Sequence, residues 1–164
     1  MDFQKRYWQE LVQLKFELCY LDEYKGRTEK VNQTIQMFTA ITSSASIGGW
    51  ALWNSISYIW ATIIAASQVL AAIKTYLPYN RRSKAINDTY NQLSLLFIKA
   101  EHGWFQVSDG SMTTREINDK QFELKKEKQL VYNKTFASQS LPTNSRIRAR
   151  ADQTTERYFA NFYS

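Results

Sequence analysis

Three arginines near the C-terminus, Arg146, Arg150 and Arg157, stand at i, i+4 and i+11. At about 100° per residue, a helix gathers them into a narrow arc. A guanidinium is permanently charged, and its fork of N–H donors fits phosphate oxygens. Aromatic residues interleave with them in the sequence: Tyr158, Phe159, Phe162 and Tyr163. Such rings can stack on nucleobases, while a positive face holds the backbone. The pattern points to a nucleotide or oligonucleotide ligand. Arg146, Arg150, Arg157, Tyr158 and Phe162 are its candidate ligand-binding residues. It also suits a solvated face with an aromatic packing edge.

A second set carries a different chemistry. Asn32, Gln36, Thr39, Ser43 and Ser46 fall on one arc of a helical wheel, while Met37, Phe38, Ile41 and Ala45 point elsewhere. A stripe of amides and hydroxyls in an otherwise apolar helix can line a water-filled path when several copies turn it inward. It can equally glue neighbouring helices, or bond back to its own backbone. These five residues are the candidate pore lining.

Enzyme chemistry finds no foothold in the sequence. The single histidine (His102) and single cysteine (Cys19) cannot form a zinc cluster or a disulfide. Five glycines give no phosphate-cradling loop, and no nucleophile–base pair stands out. The expectation is a non-enzyme with no metal and no cofactor.

The elements that must position these residues start from one gap. No Asp, Glu, Lys, Arg or His occurs between Val31 and Ile73, in a chain that is 22% charged. A helix of about 20 residues crosses a bilayer. The gap therefore predicts two spans, over about residues 31–50 and 55–76, joined by a turn at Gly48-Gly49 and Asn54-Ser55. Trp50, Trp53, Tyr58 and Trp60 cluster at the turn, with Tyr76 and Tyr79 at the far end, as an interfacial belt would. Lys25, Arg27 and Lys30 precede the spans, and Lys74, Arg81, Arg82 and Lys84 follow them. The positive-inside rule then puts both termini in the cytoplasm. No signal peptide is expected ahead of them. A buried hairpin within a soluble fold is the competing reading, because the first span is polar for a membrane helix.

Outside the gap the pattern is helical. Tyr7, Leu11, Leu14, Leu18 and Leu21 repeat at steps of four and three, as do Ile86, Tyr90, Leu93, Phe97 and Ala100. Each seam can pack within one chain or between subunits. Gly103-Trp104-Phe105 is read as the end of the second of these helices, and Ser108-Asp109-Gly110 as a turn. Thr113 to Glu116 fits a capping box for a helix to Phe136 with Ile117, Leu124 and Val131 seven apart. A last helix over about 146–163 follows a loop with Pro142. Residues 1–30 balance their charges, so the whole net +6 falls after residue 73. The expected fold is all-α: an N-terminal helix (1–30), a transmembrane hairpin (31–79), a stalk helix (80–102) and a basic C-terminal helical domain (103–164), assembled as a homo-oligomer.

The N-terminal helix, the two-span hairpin and a helix restarting as Tyr79-Asn80-Arg81-Arg82-Ser83-Lys84-Ala85 together resemble the SLATT family of bacterial two-span effectors. The basic extension makes the chain similar to the channel effectors of Hailong anti-phage systems. That resemblance implies a homo-oligomeric channel, four copies by analogy, in the bacterial inner membrane. It implies a partner nucleotidyltransferase whose nucleotide or short single-stranded DNA product gates the pore, with depolarisation and growth arrest when it opens. A ligand-free, holin-like pore and a non-conducting membrane tether are the alternatives.

Overall fold

A computed structural model describes residues 3–52, 57–76, 79–136 and 143–163, with side chains outside 42–57, 60, 71, 73–81 and 136–142. The described residues are all-helical. They form α1 (Phe3–Leu52), α2 (Ser57–Tyr76), α3 (Tyr79–Ser108), α4 (Thr114–Phe136) and α5 (Ser145–Phe162). Two compact units result: residues 1–25 with 84–164, and residues 26–83.

The first unit is a four-helix arrangement built on the predicted seams. Tyr7, Leu11, Leu14, Leu18 and Leu21 of α1 are all buried, as are Ile86, Leu93, Phe97 and Ala100 of α3. They meet within one chain, so the seams are core packing. The helices run antiparallel. Gln4 donates to the Val107 carbonyl, Tyr7 to the Ala100 carbonyl and Lys25 to Asn87. Helix α4 lies along one flank of this pair, with Gln121 donating to the Arg6 carbonyl and Lys128 bridging Glu10 and Glu17. Helix α5 lies along the other flank, where Phe159 and Tyr163 pack on Trp8 and Tyr158 on Phe97. Ile117 and Leu124 are buried and Val131 packs on the same core.

Local signals hold at the turns. Gly110 has φ 76, the left-handed value that glycine adopts without strain. The capping box forms: Glu116 accepts from the Thr113 N–H at 2.7 Å, and its own N–H reaches the Thr113 hydroxyl at 3.4 Å. Among the described residues, buried polar side-chain atoms all have a hydrogen-bond partner, Thr89 with the Ala85 carbonyl and Thr155 with the Ala151 carbonyl among them.

Three expectations change. Helix α3 does not end at Gly103 but continues to Ser108. Gly103 is buried there because Tyr7 crosses it: a Cβ at this position would lie 2.3 Å from the Tyr7 hydroxyl. Glycine is used for close approach and not as a helix stop. The N-terminal helix and the first predicted span are one helix, and Gly48-Gly49 lie inside it. A glycine pair weakens a helix without ending it when nothing competes for its backbone bonds. The rest of the predicted turn, including Trp53, Asn54 and Ser55, falls outside the described residues. Among the described residues, no helix is long and apolar enough to cross a membrane. The first predicted span is diluted by Asn32, Gln33, Gln36 and its hydroxyls, and the second by Ser67, Gln68 and Lys74.

In the second unit, the hydroxyls of Thr34, Thr39, Thr62 and Ser67 each bond a carbonyl of their own helix. Large apolar side chains remain exposed: Met37, Ile41, Tyr58, Ile59 and Val69 among them.

Gly103→Ala should lower stability by about 1–3 kcal/mol, the usual cost of overpacking. In a Tyr7→Phe background the obstructing hydroxyl is gone, so the same substitution should cost much less and can turn favourable through helix propensity. Thermal melts of the four variants test this. An equal cost in both backgrounds would show that Tyr7 is not what keeps position 103 a glycine.

Candidate functional site

The rotation of α5 is set by its own packing. Asn144 caps the helix, its side chain accepting from the Arg146 and Ile147 N–H groups at 3.1 and 3.2 Å. The Asn144 N–H in turn donates to the Tyr20 hydroxyl at 3.1 Å. Ile147, Ala151 and Thr155, four apart, are buried. That turns Arg146, Arg150 and Arg157 away from the core, roughly 120° around the helix. All three are exposed and share one face, so the predicted cationic face exists. Arg150 lies 3.6 Å from the Glu23 carboxylate, with 73% of its side chain exposed. An ion pair that wet is worth about 0–1 kcal/mol and leaves the guanidinium available.

The rings do not join that face. Tyr158 is half-buried on the core side, where its hydroxyl donates to Glu101 at 2.6 Å. The Lys15 ammonium sits 3.6 Å from the centre of its ring and 4.9 Å from that of Phe97. Phe162 is exposed, but its ring lies 4.9 Å from Tyr158, on the same side. Sequence interleaving therefore becomes spatial separation. The arginines can grip phosphates, whereas the candidate stacking rings are engaged in packing.

Of the predicted pore-lining set, Asn32 and Thr39 are half-buried and Gln36 is exposed. Thr39 donates to the Ile35 carbonyl at 2.7 Å. The side chains of Ser43 and Ser46 lie outside the described residues.

Sequence reading missed two clusters. Lys128 is held by Glu10 at 2.6 Å and Glu17 at 3.3 Å, and Tyr132 donates to Glu17 at 2.9 Å. Burial draws the Lys128 ammonium downward in pKa, but the two carboxylates outweigh it and leave it above the ordinary lysine value. Glu101 accepts from both Tyr158 and Tyr163. Nearby, Gln4, Lys5, Trp8, Trp104 and Tyr163 line a shallow cavity of about 440 Å³. The partners in these clusters come from helices distant in sequence, so no local spacing announces them. Among the described residues, no group of three or more His, Cys, Asp or Glu could hold a metal ion.

Comparison with protein-family models, characterised proteins and solved structures gives no match to this chain.

Five tyrosines tie the fold to pH, Tyr90 among them, raised by burial and then by Asp22. Burial pushes Tyr7 and Tyr158 up to about 12, and for Tyr158 the Glu101 carboxylate adds to the effect. Tyr132 and Tyr163 are raised as well, by burial and then by Glu17 and Glu101 respectively. A phenol raised in the folded state contributes stability that is complete below its unfolded value near 10 and is lost as pH climbs through the folded value. Urea unfolding should therefore give level stability up to pH 10 and a decline from 10 to 12, shallower in Tyr7→Phe. A decline between pH 10 and 12 as steep in Tyr7→Phe as in the parent chain would contradict it.

Proposed function

We propose that the chain is a homo-oligomeric, membrane-inserting effector without enzymatic activity. Residues 26–83 form the inserted hairpin, and the helical bundle carries the regulatory arginine face. The observation that supports this is the second unit's surface. It has no charged residue between Val31 and Ile73, yet it exposes Met37, Ile41, Ile59 and Val69. Apolar surface left in water costs roughly 25 cal/mol per Å². A bilayer and neighbouring copies together can cover it. Assembly also answers the polarity of α1. Where Asn32, Gln36 and Thr39 face other helices or a water-filled path, only the outer face must be apolar. Both termini then lie on the cytoplasmic side of a bacterial inner membrane, and opening depolarises the cell.

The signal is a nucleotide or short single-stranded DNA supplied by a partner nucleotidyltransferase. Because the rings are packed on the core side of α5, Arg146, Arg150 and Arg157 would hold phosphates and not read bases. Binding of that kind is insensitive to sequence and weakens steeply with salt. A second reading, a non-conducting tether, draws support from Thr34, Thr39, Thr62 and Ser67, whose hydroxyls bond their own helices.

Ion flux from proteoliposomes containing the full chain, with and without short single-stranded DNA, tests the proposal. The expected result is flux that changes with DNA, with the response lost in the Arg146→Ala/Arg150→Ala/Arg157→Ala variant. Unchanged DNA binding in that variant would remove the site. Absence of flux in either condition, with protein inserted, would replace the channel by the tether.

A further inference from the structure

Trp8 of α1, Trp104 of α3 and Tyr163 at the end of α5 line the cavity of about 440 Å³, together with Gln4 and Lys5. That volume lies within the usual range of small-molecule sites. Trp8 forms its floor. The Trp104 ring lies 4.8 Å from the Trp8 ring and is inclined to it at 49°, and the Tyr163 ring lies 5.2 Å from it at 69°. Trp104 and Tyr163 make no ring contact with each other among the described residues, so they stand as two separate walls over Trp8. Both walls and floor are fixed before any ligand arrives. Phe159 packs edge-on against Trp8 at 4.9 Å, and Trp104 stacks on Tyr7 at 6.3 Å. The Tyr163 N–H bonds the Phe159 carbonyl, and its hydroxyl donates to Glu101 at 2.8 Å. A slot held in this way loses little freedom on binding.

We infer that this slot binds a planar aromatic anion, with its ring between Trp104 and Tyr163 and its charge towards Lys5. Aromatic walls take a further flat ring in offset-stacked or edge-on contact. The polar lining selects acceptors. Neither indole N–H of Trp8 and Trp104 has an acceptor among the described residues, and neither nitrogen is buried, so both donors are open to a ligand. The Gln4 amide is already committed to the Val107 carbonyl. Lys5, exposed, is the one charged residue in the lining. Three rings alone would also attract a cation to their faces. The Lys5 ammonium opposes that and favours a negative group. The Glu101 carboxylate is outside the lining and is taken up by two phenol donors. A free aromatic acid and a nucleotide share the chemistry that fits. None of Arg146, Arg150 and Arg157 lines the slot, and the inference does not rest on the role proposed for them.

Calorimetric titration of the full chain with 2-naphthoate tests this. The expected dissociation constant is about 0.1–1 mM, as suits so small a ligand in an open slot. The 2-naphthylmethylammonium ion carries the same ring with the opposite charge, and cyclohexanecarboxylate carries the same charge without a flat ring. Each should bind about fivefold more weakly. Lys5→Glu, at an exposed position, should raise the naphthoate constant about fivefold and remove the preference over the ammonium ion. Tyr163→Ala should raise it about tenfold, while Tyr163→Phe, which keeps the wall, should stay near the parent. The Arg146→Ala/Arg150→Ala/Arg157→Ala variant should bind naphthoate as the parent does. Deoxyadenosine monophosphate separates the two sources: tighter binding than naphthoate assigns the slot to nucleotides, and weaker binding assigns it to free aromatic acids. Failure of both anions to bind, or a preference for the ammonium ion, would overturn the inference. So would binding unchanged in both Lys5→Glu and Tyr163→Ala, or binding lost in the arginine variant.

Discussion

The bundle depends on how α1 is rotated about its own axis. Leu11, Leu14, Leu18 and Leu21 must all face α3, and each fully buried leucine contributes about 1.5–3 kcal/mol. With that seam placed, the two flanks of α1 have fixed chemistries. Glu10 and Glu17 look to one side, and Trp8 and Lys15 to the other. The Tyr7 hydroxyl on the Ala100 carbonyl, over the bare backbone of Gly103, sets how closely the helices approach.

Those flanks sort the remaining helices. Helix α4 brings a lysine to two carboxylates, and α5 brings aromatic rings to a tryptophan and a lysine. An exchange of the two would set Lys128 against Lys15 and leave Glu10 and Glu17 together without a cation. The Lys128 cluster is largely withdrawn from water, with side chains 11–18% exposed, so removing one partner is costly. The Lys99 pairs with Glu123 and Glu127 are wet, and they add little beyond orientation.

The two units divide the chemistry of the chain. The bundle holds its aromatic and charged residues in specific contacts. Among the described residues of 26–83, Thr34, Thr39, Thr62 and Ser67 bond their own helices, while Met37, Ile41, Ile59 and Val69 are exposed. A surface of that kind asks for a covering, whereas the arginine face of α5 asks for an anion. The slot between Trp104 and Tyr163 adds a third unfilled demand. The molecule is thus described as much by what its surfaces lack as by its core.

Local and periodic information was legible in the sequence. The two heptad seams, the capping box at Thr113 and the turn at Gly110 follow from spacing and backbone chemistry within a few residues. The shared face of Arg146, Arg150 and Arg157 follows likewise, since helical geometry alone aligns them. Tertiary structure decided what those faces meet. Gly103 looked like a helix end because nothing nearby reveals a tyrosine 96 positions earlier lying across it. Tyr158 and Phe162 looked like companions of the arginines because sequence order is blind to which side of α5 is buried. The apolarity of residues 31–73 was visible as missing charge, but its effect depends on which polar groups a neighbouring helix covers. Spacing sets which residues share a face, and only packing sets what that face touches.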